Sequence, residues 1–135
     1  MEMTFTFPGG ARVDGHVGGF VIPTDQPPDA TAPSPFTLFL ASIGSCAGVY
    51  VQAFCHKRGI DTSDIRIVKR HEMSANGMVA RVELDIELPS DFPGQYRDAV
   101  VRAAEHCTVK QHLEFPPVIA LKATTVPEFS AASGR

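Results

Sequence analysis

The chain has 135 residues, 44% of them hydrophobic and 20% charged, with a formal net charge of −3 and an isoelectric point near 5.9. That length suits one domain with a real core and is too short for two ordinary ones. The acidic balance lacks the positive field of a nucleic-acid binder, and three cysteines without CxxC or zinc-ribbon spacing indicate neither a disulfide framework nor a structural zinc.

Residues 1–23 alternate apolar and polar side chains in short pieces punctuated by Gly9-Gly10, Asp14-Gly15 and Gly18-Gly19, which predicts two or three antiparallel strands. Residues 24–34 are proline-rich and aperiodic, and predict an extended surface loop. At Ser34-Pro35 a capping serine precedes a proline with its φ already set, so a helix should begin at Pro35 or Phe36. It should run to Arg58, with His56, Lys57 and Arg58 beside the negative end of its dipole and Gly59 as the stop.

Phe36 to Cys55 carries no formal charge over a bilayer-spanning length. Its Thr37, Ser42, Ser45 and Gln52, and the sheet-forming remainder that needs cover, favour a helix buried on all sides over a membrane span. The N-terminus has no basic segment leading into an apolar core, so a reducing, cytoplasmic location is expected for the thiols.

Residues 64–88 give the clearest pattern. Met78, Ala80, Val82, Leu84, Ile86 and Leu88 alternate with Arg81, Glu83, Asp85 and Glu87, a strand with one wet face. Asn76-Gly77 predicts a type I′ turn joining strands at 64–75 and 78–88. Residues 91–114 predict a second helix, capped by Ser90 or Asp91, with Tyr96, Ala99, Val100, Ala103 and Ala104 as its buried stripe. Thr108 is a possible second cap, so a kink is expected near Cys107. A last strand at 117–126 and a tail at 127–135 follow.

The order predicts an α+β fold with antiparallel sheets, a long buried central helix and a second, kinked helix. A chain this short has difficulty enclosing a helix that is apolar all round, and a second copy of the chain would supply the missing cover.

Cys46 and Cys55 are nine positions apart, which at about 100° per residue puts them on opposite faces of the central helix. They cannot bond to each other; either could pair with Cys107. Cys55 reads as a small core hydrophobe. Cys46 sits among Gly44, Ser45, Ala47 and Gly48, a cluster that suits either close packing against another helix or the approach of a substrate to sulfur.

"SPFTLFLASIGSC" followed some sixty residues later by "AAEHCTVKQHL", with "PGGARVDGHV" near the N-terminus, resembles the OsmC/Ohr family of osmotically induced and organic hydroperoxide resistance proteins. The pieces cover most of the chain in the family's order. The resemblance implies an intertwined homodimer with an OsmC-like roll, and thiol-dependent reduction of organic hydroperoxides without cofactor or metal. It implies that Cys46 attacks the peroxide, that Cys107 resolves it as a Cys46–Cys107 disulfide, that Arg12 pairs with the thiolate, and that an external dithiol restores both cysteines. The chemistry suits these residue types: only a thiolate attacks the O–O bond, a guanidinium stays charged at any working pH, and a second thiol traps sulfenic acid before further oxidation.

The chain departs from the pattern in one respect. Phe36 and Thr37 stand where the family carries the glutamate that orients its arginine, and no acidic residue lies between Pro35 and Gln52. Asp14, Glu105 or the partner chain are the available substitutes. "CTVKQ" also lacks the "CPYS" context of the second cysteine. A non-enzymatic ligand-binding or stress-response dimer on the same scaffold is therefore the alternative. His106, Cys107 and His112 lack the i, i+3 or i, i+4 spacing by which one helical face supplies two metal ligands.

Overall fold

The computed structural model describes residues 1–127; the remainder of the tail expected at 127–135 lies outside the described residues. Two compact units are formed, one by residues 1–39 with the C-terminal segment from Val118, the other by Leu40–Pro117.

In the first unit β1 (Thr4–Gly9), β2 (Arg12–Val17) and β3 (Phe20–Thr24) make an antiparallel sheet in the order β1-β2-β3. Both connections are tight because glycines take positive φ there, Gly10 at 57° and Gly18 at 56°. Phe5, Gly15 and Ile22 are in register across the three strands, and Val17 pairs with Phe20, so these residues share one face with Val13. Arg12, Asp14 and His16 point to the other face. Phe5 folds onto Gly15, where a Cβ would lie only 2.9 Å from the ring. Among the described residues this apolar side stays open, with Phe5 and Phe20 60% and 76% exposed.

The loop after β3 is fastened by Asp25, which is buried. Its carboxylate accepts from the N–H groups of Thr31 and Gln26 and from the Thr31 hydroxyl. These bonds hold its pKa below the ordinary value. The loop delivers the chain to α1 (Pro35–Lys57), where Ser34 caps as expected by accepting from Thr37 N at 3.1 Å. At the far end Gly59, with φ of 66°, closes a Schellman motif: its N–H reaches the carbonyl of His56 and that of Ile60 reaches Cys55.

In the second unit β4 (Arg66–Met73) and β5 (Val79–Glu87) form an antiparallel pair, with Val82, Leu84 and Ile86 turned inward and Arg70 and Asp85 paired on the wet side. The turn differs from the type I′ expectation. Only Gly77 has positive φ, at 81°, and its N–H bonds Ser74 O, so a three-residue loop closes on a glycine bulge, held by Asn76 accepting from Met78 N. The helix expected over 91–114 is in pieces: a 3-10 turn at Gly94–Tyr96, α2 (Arg97–Ala104) and α3 (Thr108–Glu114). Neither Ser90 nor Asp91 caps it, and the break at Cys107 is where the sequence placed it.

Val51, Cys55, Phe92 and Val100 form the core of this unit, with Ile60, Ile67 and Ile86 packed around them. Full burial of a Val or Phe side chain contributes roughly 1.5–3 kcal/mol. The buried line on α1 is Leu40, Ile43, Ala47, Val51 and Cys55, a single stripe at helical spacing. The helix is long and apolar enough to cross a membrane by length and composition. Within this chain it is covered on one side, with Val49 exposed on another.

The strand expected over 117–126 does not form. Residues 116–126 are neither helix nor strand, and Val118, Ile119 and Leu121 are exposed. A strand needs a neighbour for its N–H and C=O groups, and no ladder partner for this segment exists among the described residues.

Cys55 is the core residue the sequence suggested: it is fully buried, and burial pushes its thiol pKa up. Above about pH 8.5 an unfolded cysteine loses its proton while the buried thiol keeps its own. The native state then binds more protons than the unfolded state, and stability falls as pH rises. A Cys55→Ala protein is expected to lose stability less steeply than the parent between neutral and alkaline pH, read by thermal unfolding. Cys55→Ser, which buries a hydroxyl among Val51, Phe92 and Val100, should cost about 1–3 kcal/mol.

Candidate active site

Cys46 lies half-buried on α1, flanked by the inward-facing Ile43 and Ala47. Within the small-residue cluster a Cβ at Gly44 would meet no atom within 4 Å, whereas one at Gly48 would touch Ile67 at 3.8 Å. Across from the sulfur, the chain turns between α2 and α3, which brings the N–H of Val109, the Cys107 thiol and the N–H of Thr108 near it. These donors hold the Cys46 pKa below the ordinary thiol value, against the opposing effect of burial.

Cys107 is buried and is the N-cap of α3; its sulfur, not the hydroxyl of Thr108, accepts from Lys110 N, at 3.4 Å. Its own S–H has the carbonyl of Ile43 at 4.0 Å as a second acceptor besides Cys46. Burial raises its pKa, and the adjacent Cys46 adds to the rise. Two sulfurs within hydrogen-bonding reach are thus driven apart in proton affinity, one toward thiolate and the other toward thiol.

Of the three residues singled out from the sequence, Cys46 and Cys107 are brought together, 61 positions apart in the chain (107 − 46). Arg12 belongs to the first unit, and the groups that depress Cys46 within its own unit are backbone N–H groups and a thiol rather than a guanidinium. Arg12 is held all the same. Residues two apart on a strand share a face, and its Nη2 donates to both carboxylate oxygens of Asp14, at 2.9 and 3.1 Å. Asp14, one of the acidic residues available in place of the glutamate absent at Phe36 and Thr37, is thus the carboxylate in contact with Arg12. Nε of Arg12 is buried with no partner among the described residues, a donor still to be satisfied.

Beside Cys107 lies a cavity of about 310 Å³, walled also by Ile43 and Ala47 of α1 and Val82, Leu84 and Ile86 of β5, with Glu105 and Lys110 as its charged members. A cavity so lined suits an apolar ligand with one polar end. Among the described residues no group of three or more His, Cys, Asp or Glu is placed to hold a metal ion.

Residues 28–122 match the family model of the OsmC-like protein. The chain belongs to the OsmC-like family. Solved structures of low sequence identity share the OsmC-like fold. A Psychrobacter arcticus protein described as an osmotic stress induced and detoxification response protein is 22% identical, with a TM-score of 0.68 over 81% of this chain and 85% of that one. An OsmC-like protein from Mycoplasma pneumoniae is 14% identical, with a TM-score of 0.68 over 84% and 86%. An OsmC-like hydroperoxide resistance protein from a Jannaschia species is 22% identical, with a TM-score of 0.52 over 94% and 93%. No curated protein matches the sequence. In this OsmC-like chain two groups escaped sequence reasoning: the backbone N–H pair of α3, and Tyr50, whose hydroxyl lies 3.2 Å from that of Thr108. The available signal for Tyr50 was its position one helical turn after Cys46.

Proposed function

We propose that this OsmC-like protein is a thiol-dependent peroxidase that reduces organic hydroperoxides. The observation that carries the reading is the hydrogen-bonded Cys46–Cys107 pair with opposed proton affinities. The Cys46 thiolate attacks the terminal peroxide oxygen, the O–O bond breaks, and the alkoxide leaves and takes a proton from solvent, giving an alcohol and Cys46 sulfenic acid. Cys107, once its proton is released, attacks the Cys46 sulfur, an S–S bond forms, and the oxygen departs as water. An external dithiol then reduces the disulfide by exchange, becoming oxidised itself and returning both cysteines. Arg12, held by Asp14, supplies the cation and further donors to the peroxide. Such a cycle belongs in a reducing compartment such as the cytoplasm.

Mass spectrometry after one equivalent of cumene hydroperoxide tests the reading. Loss of two hydrogens with a Cys46–Cys107 linked peptide supports it. The apolar cavity also favours a second reading, a ligand-binding dimer without turnover, and unchanged thiols in the same experiment would favour that one.

The functional form is a homodimer. No hydrophobic side chain of the first unit is buried among the described residues, and one sheet face presents Phe5, Phe20 and Ile22 to solvent, with Val17 half-buried among them. A contiguous apolar face of this kind, next to a C-terminal segment lacking a ladder, calls for a second copy of the chain. Sedimentation is expected to give a dimer, and Phe20→Glu, which puts a charge on that face, should shift it to smaller species.

A further inference from the structure

Cys46 and Tyr50 lie one turn apart on α1, and both engage the start of α3. The N–H groups of Val109 and Thr108 lie near the Cys46 sulfur and favour its thiolate, while the Tyr50 hydroxyl is 3.2 Å from the side-chain hydroxyl of Thr108. The same residue, Thr108, is therefore held at both ends by α1, its amide on the sulfur and its side chain on the phenol. α3 is short, at seven residues, and the Cys107 sulfur also serves this end, accepting from Lys110 N and approaching the Ile43 carbonyl. Those ties depend on the sulfur that the proposed cycle consumes.

We propose that Tyr50 is a positioning residue for Cys46: through the Thr108 hydroxyl it fixes the first turn of α3 so that two amides stay aimed at the sulfur. The inference rests on the functional reading above only in supposing that Cys46 works as a thiolate. Without the phenol, the Thr108 hydroxyl loses its anchor and the N–H groups are free to tilt toward water, weakening their bonds to the charged sulfur. Charged groups near the pair are few. On α1 none stands between Pro35 and Cys55; β5 turns Val82, Leu84 and Ile86 toward this region. From α2 and the bend come Glu105 and His106, and from α3 come Lys110, which pairs with Glu114 at 3.8 Å, and His112, whose Nδ1 lies 2.7 Å from the Thr108 carbonyl. None of them is among the groups that set the Cys46 proton affinity.

The test is the alkylation rate of Cys46 by iodoacetamide across pH, resolved by peptide mass spectrometry in the full chain, with thermal unfolding in parallel. Tyr50→Phe should raise the apparent pKa of Cys46 by about one unit, and slow alkylation below that pKa about tenfold, with Cys55 unchanged. Thr108→Val should reproduce the shift and Thr108→Ser, which keeps the hydroxyl, should not. A Tyr50→Phe protein with the parent's Cys46 profile overturns the proposal. So does a Tyr50→Phe shift that Thr108→Val does not share. Alkylation needs no peroxide turnover, so a protein inert to hydroperoxides that still shows the Tyr50 dependence would sink the peroxidase reading and leave this inference standing.

Discussion

Replacing Cys46 by serine is expected to lower the rate of cumene hydroperoxide reduction by about 10³-fold or more, since a hydroxyl at neutral pH is a far weaker nucleophile than a thiolate. The fold should survive, because Cys46 is only half-buried and a serine differs from it by one atom. Cys107→Ser should behave differently. Its first turnover with peroxide should persist, with Cys46 trapped as sulfenic acid by dimedone, while steady-state turnover with a dithiol falls as the unprotected sulfur is overoxidised. The asymmetry follows from geometry: Cys46 is half-buried beside two backbone donors, whereas Cys107 is buried at the start of α3 with its proton held. With Cys46 shifted down, the second-order rate constant should fall as pH drops through the thiolate's own pKa, at a lower pH than for an ordinary thiol. Equal activity in Cys46→Ser and parent, in a coupled assay, would sink the mechanism.

The second large effect belongs to Arg12. Arg12→Ala is expected to lower kcat/KM about 10²–10³-fold, the cost of losing one preorganised donor to a developing oxyanion. Asp14→Ala should lower it about tenfold, with Arg12 still present but unheld. The pair is diagnostic because Asp14 makes two hydrogen bonds to a single nitrogen, Nη2, leaving the rest of the guanidinium to other partners. If Arg12→Ala lost activity and Asp14→Ala kept all of it, the guanidinium would be held by something other than Asp14, and the substitution for the missing glutamate would lie elsewhere. Arg12→Lys separates charge from the planar donor array: a lysine keeps the cation and loses the guanidinium's remaining fixed donors, so most of the loss should remain.

Much of the fold was legible because it rests on local rules. Ser34-Pro35 and Gly59 mark the ends of α1 through a side-chain cap and a positive φ, both decided within a few residues. The Val82, Leu84, Ile86 alternation marks β5 because a strand with one wet face must repeat every second residue. The pairing of Arg12 with Asp14 was among the alternatives the sequence offered, since residues two apart on a strand share a face. What was misread depended on choices that local pattern leaves open. Asn76-Gly77 fits two turn types, and the bulge between Glu72 and Met73 is consistent with the longer one. Thr108 looked like the cap, but a sulfur one residue earlier was already within reach of Lys110 N. Val118 to Val126 has a strand's composition, yet composition cannot supply a neighbouring strand.

By itself, the sequence indicated the α+β class, the place of Cys55 in the core and the family resemblance that implied a Cys46 and Cys107 pair. Only the tertiary structure decided what makes those two sulfurs unequal. Proton affinity is set by donors and burial a few ångströms away, and the amides of Thr108 and Val109 come from the far side of the chain. No spacing rule reports where a backbone N–H will point once two helices have packed.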